Sequence, residues 1–318
     1  MSSFLKARKD TLAPMKKTHC GMILLALSAG LFSLQSIFSQ FCYRAGFTVL
    51  SLLTGRYILA IIFLGIWCVI RKIPPFLPVG QRRIGVLIGL FSAVTIALLF
   101  TAFAHLPASV AIFCYYAYPA LTVLWCRIFW RRPLERGQLI SLVLSITGIT
   151  LLSLDGFFGG LSVQGIVCAF GSAITMSVQI MLMERYMQSV HKVRYNFTVF
   201  CVALVIFGPV MLLFEGLEAV GSIQPEGFAY LGLLVLFATI GCNLLLTLGM
   251  ESVPAPTAAI LNTLEIPCTT LLTFVFLGDV LTWPQVAGGI MILLAVTLPV
   301  CLKKMGGIQE KRQNAKNL

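Results

Sequence analysis

Charge is what this sequence has least of. Only 11% of its 318 residues are Asp, Glu, Lys or Arg, against about 25% in soluble proteins. Apolar residues make up 58%, more than a soluble fold can hide without large exposed patches. An ordinary soluble protein is excluded, whereas a lipid bilayer can cover the surplus. Acidic residues are scarcest, 11 against 23 basic ones, for a net charge of +12. The cations nevertheless form no stripe and do not alternate with aromatic residues, which argues against a nucleic-acid-binding groove. Three histidines, and ten cysteines without a Cys-x-x-Cys, leave no zinc motif. The cysteines stand singly, most of them inside apolar runs (Cys68, Cys114, Cys168, Cys201, Cys242, Cys268), and read as soft packing residues rather than a disulfide framework. There is no Gly-rich phosphate loop, so neither nucleotide hydrolysis nor a bound cofactor is expected.

What the chain has is long apolar runs. Ten of them lie near 19–41, 47–70, 84–104, 107–129, 137–154, 161–183, 195–214, 228–249, 255–277 and 283–302. Crossing a hydrocarbon core of about 30 Å takes roughly 20 helical residues. Run length and the lack of apolar–polar alternation exclude a membrane barrel. The expected fold class is therefore an all-α integral membrane protein with ten transmembrane helices. A basic leader (Lys6, Arg8, Lys9, Lys16, Lys17) precedes the first run, as in a signal peptide. That run is long for a signal, and its residues recur later in the chain, so it is expected to be a retained helix.

Cations set the orientation. Five lie in the amino-terminal tail. Alternate loops then carry Arg71, Lys72, Arg82 and Arg83, then Arg127, Arg131, Arg132 and Arg136, then Arg185, Lys192 and Arg194. Lys303, Lys304, Lys311, Arg312 and Lys316 close the chain. Only Arg44 falls on the other side and Arg56 inside a helix, while the opposite loops hold Asp155, Glu215, Glu218, Glu226 and Asp279. Both termini are expected in the cytoplasm.

The sequence also repeats itself. At an offset of 144, Gly21, Ser28, Ala29, Ser33 and Gln35 fall on Gly165, Ser172, Ala173, Ser177 and Gln179. At 148, Ser109, Ala111, Ile112 and Pro119 fall on Thr257, Ala259, Ile260 and Pro267, and at 147 Gln138 falls on Gln285. Near-constant offsets over three helices indicate two copies of one unit. Five is an odd number of crossings, so the second copy enters from the opposite face, and the two inverted five-helix repeats are related by an axis in the membrane plane, as in many carriers. The expected organisation is a basic tail over 1–18, repeats over 19–155 and 161–302, and a second basic tail over 303–318.

Several segments carry a family resemblance. They are Leu264-Glu265-Ile266-Pro267, then Leu277-Gly278-Asp279-Val280-Leu281-Thr282, then Gln285 and Gly288-Gly289. Arg56 after Leu52-Leu53-Thr54-Gly55 adds to them. With these the chain resembles the drug/metabolite transporter superfamily, in its ten-helix EamA-domain members, from about residue 19 to 302. It departs from the pattern at Asp279, where Glu is usual. It departs again at Tyr116-Ala117-Tyr118-Pro119, which lacks the acid, and at Arg131-Arg132-Pro133-Leu134 in place of a Gly-Glu turn. The resemblance implies an inner-membrane carrier of small molecules and leaves the substrate open.

Glu265 is the leading site candidate. It lies about nine residues into its run, or ~13 Å deep at ~1.5 Å per residue. A charge there costs roughly 2.5–3.5 kcal/mol and usually faces a cavity or a partner. It can bind substrate or take up a proton, or it can be a structural acid beside Pro267. Asn262 shares its face one turn earlier. Arg56 can bind an anionic group, snorkel outward, or anchor the fold. Gln35 and Gln179 occupy equivalent positions. Ser172 and Thr175 stand with Gln179, and Asn243 stands with Thr239 and Thr247; both stripes read as cavity lining or as helix-to-helix hydrogen bonds. Tyr115, Tyr116 and Tyr118 lie too deep for interfacial anchors and can stack on a planar solute. His105, in a short outer turn, reads as a solvated residue.

The function expected from all of this is secondary transport of a small metabolite by alternating access, with proton coupling or exchange as options and lipid and substrate as partners. A monomer and a homodimer are both compatible with it. A membrane-embedded lipid enzyme and a passive channel are the alternatives. An enzyme would need more converging polar groups, and a channel has no use for inverted halves.

Overall fold

Backbone N–H and C=O groups find no water in lipid, so each apolar run must satisfy them internally as helix. The computed structural model of the chain describes residues 2–106, 108–131, 136–153, 162–216, 221, 223–277, 283–284, 286–295 and 298, with side chains for most of them from Lys17 onward. Every regular element among these residues is helical. The first half holds α1 (Ser2–Arg44), α2 (Val49–Ile70), α3 (Val79–His105), α4 (Ala108–Tyr115), α5 (Tyr118–Trp130) and α6 (Arg136–Ser153). The second half holds α7 (Val163–Tyr186), α8 (Lys192–Phe214) and α9 (Pro225–Val235), which passes through a π-helical segment, Leu236–Gly241, into α10 (Cys242–Gly249). It continues with α11 (Ala255–Asn262) and α12 (Glu265–Leu277), then a short apolar helix α13 over Val286–Ala295.

Seven of these helices or helix pairs are long and apolar enough to cross a bilayer: Lys17–Arg44, Val49–Ile70, Val79–Leu99, Val163–Tyr186, Lys192–Phe214, Pro225–Gly249 and Ala255–Phe276. Gly137–Leu151 and α13 are shorter apolar helices, and α4 with α5 forms a broken one. α1 reaches back to Ser2, well before the predicted start at residue 19, because the Lys, Arg, Ala and Leu of the leader favour helix. The expected carboxy-terminal tail, Asp279 and its flanking residues, Gln285, and Arg132 to Glu135 lie outside the described residues.

Packing follows a two-fold plan. α1 lies against α9, the π segment, α10, α11 and α12, which form the third and fourth spans of the second repeat. Its counterpart α7 lies against α3, α4 and α5, the third and fourth spans of the first. α2 and α8 meet each other, as do α5 and α11. The two first helices thus take equivalent partners in the opposite repeat, and the corresponding helices α2 and α8 touch, as two-fold symmetry requires.

The repeated glycines mark the closest approaches in this plan. A Cβ on Gly21 would lie 2.9 Å from Val253 Cγ2 and 3.1 Å from the Gly249 carbonyl, at the turn before α11. A Cβ on Gly165 would lie 2.6 Å from Leu106 Cγ and 3.0 Å from His105 Cβ, at the turn before α4. Each first helix therefore touches the equivalent turn of the other repeat through a residue without a side chain. Overpacking of this kind costs about 1–3 kcal/mol. Gly165→Ala is expected to lower the melting temperature of purified protein, while Gly30→Ala, where a Cβ meets nothing within 4 Å, leaves it unchanged or higher.

Candidate functional site

The runs expected as single helices over 107–129 and 255–277 are broken near their middles. α4 ends at Tyr115 and α5 begins at Tyr118; α11 ends at Asn262 and α12 begins at Glu265. Proline causes both breaks. Pro119 and Pro267 bring no N–H to the carbonyls of Tyr115 and Thr263, and their rings crowd those carbonyls. The backbone tightens to three-residue bonds instead, Ala117 N to Cys114 O at 3.2 Å and Thr263 N to Ile260 O at 3.1 Å. Both breaks align at an offset of 147, so Tyr118 holds the place of Glu265, one residue from the Ala117 that proline matching indicates.

The two breaks meet. The Tyr116 hydroxyl donates to Glu265 Oε2 at 3.1 Å. Tyr115, Tyr116 and Tyr118 form a ring cluster with centroids 5.2, 5.3 and 5.5 Å apart. Tyr118 is 2% exposed, and its hydroxyl lies 3.5 Å from the Ala259 carbonyl. Asn262 is buried beside Glu265, and its Oδ1 accepts no hydrogen bond. Glu265, three tyrosines and Asn262 thus form one polar and aromatic cluster on the line where the repeats touch.

Arg56 lies on another helix, α2. It is 7% exposed, its Nε has no acceptor, and its guanidinium lies 5.7 Å from the centre of the Tyr57 ring. No carboxylate pairs with it among the described residues. Arg56 and Glu265 form no ion pair with each other. An uncompensated buried charge costs several kcal/mol, so the Arg56 guanidinium is unlike ordinary packing.

The remaining candidates are spread around this centre. Gln35 and Gln179 are half-buried on α1 and α7. Asn243 spends its amide on the Thr239 carbonyl at 2.8 Å. Thr247 accepts from Asn196 Nδ2 at 3.2 Å and ties α10 to α8. Thr175 meets Thr95 at 2.7 Å and ties α7 to α3. His105 is exposed against Gly165.

Two features were not read from the sequence. One is the π segment: Leu236–Gly241 is as apolar as its neighbours, and nothing in its composition announces a widened turn, although such turns cluster at functional sites. The Cys242 carbonyl at its end accepts from Ser28 Oγ on α1 at 2.8 Å. The other is Glu184, buried near the carboxy-terminal end of α7 and bonded to the start of α11 at 2.9 Å. An acid within a cation-rich loop region looks solvated until the fold brings a partner to it.

The model of the EamA-like transporter family matches this chain twice, over residues 19–154 and 163–300. The chain belongs to the EamA-like transporter family. It is a multi-pass membrane protein built from two EamA repeats, in keeping with the resemblance to drug/metabolite transporters, and its activity is of the transport class. A solved crystal structure shares the fold of this EamA-like chain with a TM-score of 0.73 at 18% identity, over 90% of this chain and 98% of that one. No curated protein matches its sequence.

Proposed function

We propose that this EamA-like chain is a secondary carrier that moves a small organic solute by alternating access through ten crossings, with both termini in the cytoplasm of a bacterial-type inner membrane. The repeats extend over 19–155 and 161–302, between basic tails. The observation that carries this reading is a buried guanidinium without a carboxylate partner, Arg56 on α2, together with a half-buried acid, Glu265, at the break where the two repeats meet. A solute with an anionic group satisfies Arg56. Glu265, with Tyr116 and Asn262, takes a donor group of the solute or a proton. The tyrosine cluster offers a flat apolar face to a planar solute, and Gln35, Gln179 and Asn243 line the path. Inverted halves that exchange conformations expose the same centre to either side in turn.

The test has two steps. A thermal-shift screen of amino acids, nucleosides and cofactors finds a solute, because a bound ligand stabilises the native state by mass action. In liposomes, unlabelled solute trapped inside then accelerates uptake of labelled solute outside. Uptake that trapped solute does not accelerate indicates a channel, and chemical conversion without uptake indicates an enzyme; either outcome rejects the carrier.

A further inference from the structure

The start of α11 is capped from another helix. Its N-cap position is Pro254, which has no side-chain group to cap with. In its place the Glu184 carboxylate, 5% exposed, accepts the Ala255 N–H through Oε2 at 2.9 Å. A side-chain acceptor at a helix start satisfies an otherwise orphaned donor, and a negative charge there is favoured by the helix dipole. This one comes from α7, so it also fixes the inner half of the ninth span to the first helix of its own repeat. α11 packs on α5, α6 and α7 and leads directly into the break at Glu265. The inner wall of the site is therefore tied to α7 at its cytoplasmic end through the Glu184 carboxylate.

The same carboxylate has somewhere else to go. It borders a cavity of about 230 Å³ lined by Trp130, Glu184, Arg185 and Gln188. This cavity lies at the cytoplasmic ends of α5 and α7, and it offers Glu184 a guanidinium and an amide. Leaving Ala255 thus does not strand the charge in an apolar setting. A group with two satisfied positions, one clamping a half-helix and one not, is a two-state element.

We propose that Glu184 is the latch of the cytoplasmic gate, a positioning residue that holds α11 closed in one state and swings into the Trp130–Gln188 cavity when the carrier opens inward. The proposal rests on alternating access, but its test is separate from the counterflow assay, which needs no variant of Glu184.

The experiment reads both faces of the protein at once. In a chain whose native cysteines are replaced, Thr257→Cys reports on the inner wall, being buried on α11. Ser39→Cys reports on the outer half of α1, one turn outward from Gln35. Each is labelled in vesicles with a membrane-impermeant maleimide applied from its own side. Glu184→Ala is expected to raise Thr257→Cys labelling about tenfold, the population shift that ~1.4 kcal/mol produces, and to lower Ser39→Cys labelling. Glu184→Gln, which keeps an acceptor but no charge, falls between. Ala255→Pro removes the donor instead of the acceptor at a position where proline suits a helix start, and gives the same reciprocal pattern even if Glu184→Ala fails to fold. A rise at both reporters means a loosened fold, and no change at either means no latch; both outcomes overturn the proposal.

Discussion

Glu265→Gln is expected to abolish uptake against a gradient while leaving counterflow measurable. The substitution keeps the shape of the side chain and an acceptor for the Tyr116 hydroxyl, now 3.1 Å from Oε2, but it removes the ability to gain and lose a proton. If that proton is the coupling ion, an imposed pH gradient no longer drives accumulation, and the pH dependence of transport flattens. Every 1.4 kcal/mol of driving force lost is about tenfold in accumulation, so the effect stands well clear of assay error. Uptake assayed in liposomes with and without a pH step decides it. Unchanged pH dependence and unchanged accumulation in the variant would leave Glu265 as a structural acid and remove the proton from the mechanism.

Arg56→Met is expected to separate function from stability. Hydrogen bonds to a charged group contribute about 1.5–3 kcal/mol, so binding of anionic solutes weakens by roughly 10–100-fold, with neutral analogues little affected. The empty protein should melt no lower than before. Arg56 is 7% exposed and its Nε is unsatisfied, and replacing a buried polar group by an apolar one of similar size is often neutral or stabilising. Functional sites commonly carry such local instability. Equal loss for anionic and neutral solutes, together with a lower melting temperature, would make Arg56 an anchor of the fold.

How far the site could be read from the chain depended on how local each signal was. Glu265 and Arg56 stood out because a charge inside a long apolar run is costly wherever the run goes. Pro119 and Pro267 break their helices by an equally local rule, since a missing N–H disturbs its own helix, although the runs over 107–129 and 255–277 were each read as one helix. Sequence reading does not place Tyr116 on Glu265, because that contact joins residues 149 apart in the chain. Glu184 was passed over for the same reason: it lies 71 residues from Ala255, and an acid at the end of a span looks solvated. The π turn at Leu236–Gly241 left no trace at all, since one extra residue in an apolar helix changes neither hydropathy nor length enough to register. The register between the broken spans shifted by one residue for a related cause, as a proline can stand at slightly different distances from the turn it provokes.

By itself the sequence determined that this chain lives in lipid, that it is helical, that its cations gather on alternate loops and that it contains one unit twice. Hydrophobicity, charge and helix-breaking residues act over a few turns, and twenty apolar residues behave alike in any fold. Which helices face each other was decided only in three dimensions. Glycines too small to keep α1 and α7 away from the opposite repeat's turns set the approach, and the meeting of the two broken spans put the Tyr116 hydroxyl on Glu265.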